Sequence, residues 1–208
     1  MKIRFLRKNT SSTVCFSFLA CMFLISCTSQ APHQKTAIKP ERPEAPGNIL
    51  GRGLVGSETL GAFLLKCNDS INIKEARMLA DIYIKESAAE GINHDVAFSQ
   101  MCLETGFLRF GGLVTPDMNN YCGLGSIGPG QKGHSFPSQE IGVRAHIQHL
   151  KGYATTDQLK QSLVDPRYRY IKYGSAPNIY ELAGRWAADR EYGNKIAAIL
   201  DRLYAFAF

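Results

Sequence analysis

The sequence predicts a mainly α-helical domain with one long irregular loop or small β-hairpin, and three features of the chain carry that prediction. Apolar residues recur at helical spacing in four separate segments. Residues 109–137, RFGGLVTPDMNNYCGLGSIGPGQKGHSFP, are instead loaded with Gly, Pro, Asn and Ser and are too irregular for a helix. Alternating apolar and polar runs, the signature of half-buried strands, are scarce.

Each helix carries its own start and stop signals. Lys74–Glu90 places Ala76, Leu79, Ala80, Ile82, Tyr83 and Ala88 at near-helical spacing, and Gly91 supplies a C-terminal stop. Asn93 is a good N-cap for a second helix, with Asp95 in its first turn complementing the dipole. That pattern runs through Val96, Ala97, Met101 and Leu103 to Gly106 and puts Glu104 in the last turn. A third helix covers Ser138–Tyr153, capped by Ser138 with Glu140 in the first turn, and buries Ile141, Val143, Ala145, Ile147 and Leu150. The last spans Glu191–Ala205, with Tyr192, Ile196, Ile199, Leu200 and Leu203 on one face.

Ahead of the helices the chain reads as a processing signal. Lys2, Arg4, Arg7 and Lys8 form a positive start, and the apolar run Val14–Ile25 is too short to span a bilayer comfortably. It ends in Leu24-Ile25-Ser26-Cys27, which resembles the lipobox of bacterial lipoproteins. The expected organisation is a signal peptide over 1–26, a Pro-rich tether over 27–54 and one folded domain over 55–208. Lipid on Cys27 would hold the protein to a membrane of the cell envelope, facing the periplasm or exterior. Without residues 1–26 the net charge of +6 falls to +2, from 20 basic and 18 acidic residues, so no nucleic-acid surface is expected. A single tethered domain gives no reason to expect more than a monomer.

Three cysteines remain in the domain, Cys67, Cys102 and Cys122. Cys102 lies in an apolar helical run where a free thiol packs as a small hydrophobe, and the spacing lacks the close pairs of zinc sites. His146 and His149 stand one helical turn apart without a third ligand nearby, so no metal and no cofactor are expected. A nucleophilic Cys122 beside a base is not indicated either.

Glu104 is the residue around which chemistry gathers. A carboxyl that donates a proton near neutral pH needs its pKa raised, and apolar burial and a helix C-terminus both do so. Glu104 shares a helix face with Ala97, Gln100 and Met101 and points toward the loop. The segment from Glu90 to Phe107, EGINHDVAFSQMCLETGF, resembles the catalytic helix of the bacterial glucosaminidases, glycoside hydrolase family 73, with a small residue and Gln upstream of Glu-Thr-Gly. Asn119-Asn120-Tyr121-Cys122-Gly123-Leu124-Gly125, then Phe136, the helix at 140–150 and Trp186–Ile196 follow in family order.

That resemblance, over about residues 60–208, implies a lysozyme-like α-helical fold with the loop beside a substrate groove. It implies cleavage of the β-1,4 bond after N-acetylglucosamine in peptidoglycan glycan strands. Carried onto matching positions, Glu104 is the general acid and Tyr192 the active-site tyrosine, with Asn120, Tyr121, Gly123 and Phe136 on the substrate side. No second carboxylate is obvious. Asp117, Glu140, Asp165 and Asp189 are all conceivable, and the 2-acetamido group of the substrate could serve in its place. A muramidase or lytic transglycosylase of the same fold, and a lipid-tethered peptidoglycan-binding module without turnover, are the alternatives.

Overall fold

A computed structural model describes residues 42–126, 128 and 130–208; the signal segment, Cys27 and the chain before Arg42 lie outside them. Five α-helices make the frame: α1 (Ser57–Cys67), α2 (Ile73–Glu90), α3 (His94–Thr105), α4 (Gln139–Ala154) and α5 (Tyr192–Ala207). The caps read from the sequence at Asn93 and Ser138 are in place, and Asn72 adds another. Asn72 caps α2, Asn93 accepts from the amides of Asp95 and Val96 at the start of α3, and Ser138 accepts from Ile141 at the start of α4. Gly91 and Gly106 end α2 and α3 in the left-handed conformation.

Helix α1 was not among the predicted elements. Its start, Gly56, offers no side-chain cap, and Gly61 interrupts its apolar run, so local cues are weak. Tertiary contact supplies what they lack: Leu60, Phe63 and Leu64 are buried as α1 packs on α2. Gly61 lets the backbone of Arg77 approach to where a Cβ would meet it at 3.1 Å.

The helices surround α3, in which His94 to Cys102 are all buried; α2 and α5 pack against it and α4 lies across α2. Val96, Ala97, Phe98 and Met101 join Tyr83, Ile147, Leu200 and Leu203 in one core. The end of the expected tether belongs to this body. Ile49 is fully buried, its amide donates to Pro177 and its carbonyl accepts from Asn93. Asp95, expected to serve the helix dipole, is buried and accepts from Leu54, Val55 and Tyr204, tying the entering chain to α3 and α5.

Among the described residues, backbone pairing is confined to isolated bridges such as Asn48 with Asn178 and Leu50 with Ile92. The described residues of 109–137 therefore take the irregular of the two expected forms, with one 3-10 turn at Pro116–Met118. The loop is clamped to α4 at Gly142, where a Cβ would stand 1.8 Å from the Asn119 carbonyl oxygen. Only glycine admits that approach.

Candidate active site

The last turn of α3 delivers Glu104 to the floor of an open cleft of about 360 Å³. Thr105, Gly106 and Phe110 form one wall, Asn120 and Gly123 another, and Trp186 a third. The chain leaves α3 through an unusual turn: Gly106, Phe107 and Leu108 have φ of 59°, 58° and 60°, and Phe110 follows at 54°. For the three non-glycine residues that conformation costs roughly 1–2 kcal/mol each. Neighbours hold it there. Asn68, just past α1, donates to the Phe107 carbonyl at 2.8 Å, Arg109 donates to the Cys67 carbonyl at 2.6 Å, and the Leu108 amide donates to Thr105 Oγ1 at 2.9 Å. Helix α1 thus contributes to the site by fixing the turn beside the carboxyl.

Both donors that meet Glu104 converge on one oxygen. Trp186 Nε1 donates to Oε1 at 2.9 Å, and the Tyr192 hydroxyl donates to the same atom. Oε2 faces Gly123, where a Cβ would stand 3.9 Å away. Gly123 has φ of 67°, so a side chain there would meet both backbone strain and the carboxyl. Burial pushes the Glu104 carboxyl above its ordinary pKa, and the Tyr192 and Trp186 hydrogen bonds only partly offset it. Among the described residues no lysine or arginine approaches to reverse the shift.

Behind Tyr192 a polar chain runs through the core. Gln100 Nε2 donates to the Tyr192 oxygen at 2.9 Å, Gln100 Oε1 meets His146 Nε2 at 3.0 Å, and His146 Nδ1 meets the Tyr83 hydroxyl at 2.9 Å. Burial, with His149 adding to it, lowers the His146 pKa to about 3, so the ring is neutral. One proton assignment satisfies every atom: Tyr83 donates to Nδ1, Nε2–H donates to Gln100, Gln100 donates to Tyr192, and Tyr192 donates to Glu104. The chain is buried, paired throughout and aligned toward the carboxylate.

The other predicted residues divide by location. Gly123 and Asn120 line the cleft. The Asn120 amide is occupied within the loop, donating to the carbonyls of Leu124 and His134 and accepting from the amides of Cys122 and Leu124. Tyr121 turns away from the cleft into the core, edge-on to Tyr83, and burial raises its hydroxyl pKa to about 12. Phe136 lies beneath the loop, against Cys122, Leu124 and Ala145, and lines no part of the cleft. Neither aromatic ring is available there for stacking on a sugar, because each fills the space between the loop and a helix.

The conceivable partner carboxylates are also elsewhere. Asp117 is exposed, Glu140 pairs with Lys85, Asp189 pairs with Lys195, and Asp165 is buried beneath His149. Among the described residues Glu104 is the one carboxylate lining the cleft. Cys122 lines it as well, but burial drives its thiol pKa far up, which removes the thiolate a nucleophile needs. His146 and His149 have their facing nitrogens engaged by Tyr83, Gln100 and Asp165.

Comparison with known proteins places this geometry in context. Residues 80–205 match the family model described as Glucosaminidase, mannosyl-glycoprotein endo-beta-N-acetylglucosaminidase, a span that contains Glu104, Trp186 and Tyr192. The chain belongs to this glucosaminidase family. As a member it is a glycoside hydrolase with peptidoglycan as its substrate class. An uncharacterized protein of Borreliella burgdorferi is 40% identical over 158 residues, covering 76% of this chain and 78% of that one. Sequence reasoning overlooked Trp186, Gln100, His146 and Tyr83 as site residues. Trp186 had a signal, since it is the single tryptophan of the chain and opens the motif that ends in Tyr192. The three others look like core residues on their own helices, and only the folded contacts join them.

Proposed function

We propose that the protein cleaves the β-1,4 bond after N-acetylglucosamine in peptidoglycan, with Glu104 as the general acid. The observation that carries this reading is a carboxyl at the floor of the cleft, raised by burial, with no cation beside it. Tyr192 and Trp186 hold Oε1 and leave Oε2 toward the cleft, so the proton sits on the atom that meets the leaving-group oxygen. As the bond breaks, the proton moves from Oε2 to that oxygen. The resulting carboxylate is then stabilised by the same two donors. A general acid placed this way contributes about 10²–10⁴-fold in rate.

With no second carboxylate lining the cleft among the described residues, the nucleophile is the carbonyl oxygen of the substrate's own 2-acetamido group, which attacks the anomeric carbon. Glu104, now ionised, then takes a proton from the water that opens the cyclic intermediate. The protein works as a monomer in the cell envelope, exported by its N-terminal signal and held by lipid on Cys27. A Cys27→Ser variant releases it from the membrane fraction if that anchor is correct, and its retention there contradicts the anchor.

The test of the activity is digestion of purified sacculi by the full chain and by Glu104→Gln, with mass spectrometry of the released fragments. Reducing N-acetylglucosamine ends from the wild type, and at least about 10²-fold fewer from the variant, are expected. Reducing or anhydro-muramic ends would move the protein to the muramidase or transglycosylase class. No products from either form would leave a binding module.

A further inference from the structure

The cleft that holds Glu104 does not end at Trp186. Beyond it lies a second open cavity of about 210 Å³, and the two share Cys122, Gly123, Ser126 and Trp186 as a common wall. Their linings differ in kind. Glu104 is the one charged side chain of the first, whereas the second is lined by Arg167, Arg185 and His149 with the aromatic rings of Tyr153, Tyr170 and Trp186.

Both guanidiniums are positioned. Arg167 lies over the Tyr170 ring at 4.7 Å, and Arg185 NH1 donates to the Glu181 carbonyl at 2.7 Å. The Arg185 backbone carbonyl accepts from the Tyr153 hydroxyl at 3.0 Å. Among the described residues neither arginine forms a salt bridge. The nearby Asp165 carboxylate is buried and already meets His149 Nδ1 at 2.7 Å and the Arg167 amide at 2.8 Å. Elsewhere in the molecule Arg77 and Arg144 are each paired with a glutamate. Two oriented arginines facing a groove without a protein carboxylate are suited to a carboxylate brought by the ligand, in the forked geometry guanidinium favours.

We propose that this second cavity binds the carboxylate-bearing sugar of the strand through Arg167 and Arg185. The inference rests on the reading that the strand lies across Glu104. Peptidoglycan alternates a plain 2-acetamido sugar with one bearing a lactyl ether, and only the second carries a carboxyl or the peptide attached to it. A sugar in the arginine cavity is the immediate neighbour of the sugar at Glu104 across Trp186. Where the sugar at Glu104 is the one attacked at its anomeric carbon, a lactyl sugar held next to it on either side makes that donor the plain sugar. The cavity thereby sets the register that selects which of the two bonds is broken.

The experiment is a binding measurement, so it does not depend on turnover. The full chain carrying Glu104→Gln is titrated by calorimetry with three tetrasaccharides: chitotetraose, which has no carboxylate; amidase-treated peptidoglycan tetrasaccharide, which exposes lactyl carboxylates; and the same tetrasaccharide with its stem peptides. The added pair Arg167→Gln and Arg185→Gln should lower the affinity ratio of a carboxylate-bearing ligand to chitotetraose by about tenfold or more. The pair Arg167→Lys and Arg185→Lys should retain part of it. A fall for the amidase-treated ligand alone assigns the free lactyl carboxylate, a fall for the peptide-bearing one alone assigns a peptide carboxylate, and a fall for both assigns the anionic substituent of that sugar in either form. An unchanged ratio, or equal weakening of all three ligands, overturns the proposal. Absence of hydrolysis by the wild type in the sacculus assay, with the ratio falling as expected in the arginine variants, would count against the activity and not against the cavity.

Discussion

Glu104 and Glu90 are both largely withdrawn from water, yet their carboxyls are shifted in opposite directions. Glu90 accepts from the Lys151 ammonium at 2.8 Å and from the backbone amides of Lys160 and Gln161. Burial alone would raise its pKa, but these donors outweigh it and hold the carboxyl below its ordinary value. Glu86 is treated likewise, with Arg144 and Gln161 as donors. Glu104 receives two neutral donors and no cation, so burial wins and the pKa rises. The lesson is that burial only makes a carboxyl sensitive. The charge of what meets it decides whether it becomes a permanent anion that binds elements together or an acid that can release a proton.

The largest effect expected from breaking this contrast is at Glu90. Lys151→Met leaves a buried carboxylate without its cation and should cost about 3–5 kcal/mol, measured by denaturant unfolding at neutral pH. The pH dependence follows from the same shift. Because Glu86 and Glu90 have folded pKa values below their unfolded ones, their stabilisation is fully present above the ordinary glutamate range. It is lost as pH falls through the folded values. Wild-type stability should therefore decline on acidification, and less steeply in Lys151→Met.

A smaller effect is expected from cutting the chain behind the acid. Gln100→Leu leaves the His146 N–H and the Tyr192 oxygen without their buried partner, a cost of about 1–3 kcal/mol. Set against the transition state, that is roughly a tenfold to hundredfold fall in kcat. Affinity for sacculi should be unchanged, since Gln100 lines no part of the groove. Equal loss of binding would show that the substitution disturbed the fold instead.

Much of this frame was legible in the sequence. The caps at Asn93 and Ser138 and the stops at Gly91 and Gly106 fix α3 and α4 through local chemistry, so Glu104 was placed correctly at the end of its helix. Burial of α3 on all sides was harder to see, because a helix surrounded by others shows no polar face. Tyr121 and Phe136 were assigned to the substrate side from the resemblance alone, and the turn formers around them gave no sign that each ring fills a gap under the loop. Trp186 and Gln100 come 82 and 4 residues from Glu104 in the chain; the helix face and the motifs put each near the site, but only the folded contacts show that both belong to one hydrogen-bonded unit.

Two weaker perturbations sharpen the account of the acid itself. Tyr192→Phe removes a donor that favours the charged carboxylate, so the Glu104 pKa should rise further. The basic limb of the pH profile of kcat/KM then moves to higher pH, with activity at the optimum lower by about tenfold. The smallest effect concerns stability. A carboxyl whose folded pKa is raised contributes fully below the unfolded value and loses that contribution as pH rises through the folded one. Ionised Glu104 is thus a burden at neutral pH, and Glu104→Gln should gain up to about 1 kcal/mol there while abolishing turnover.

The most direct test is to titrate Glu104 itself, following the side-chain carboxyl carbons of isotopically labelled protein by NMR and assigning the resonance lost in Glu104→Gln. A midpoint above the ordinary glutamate value, with Glu86 and Glu90 titrating below theirs, is the predicted result. A Glu104 midpoint at or below the ordinary value would contradict its assignment as an acid prepared by burial.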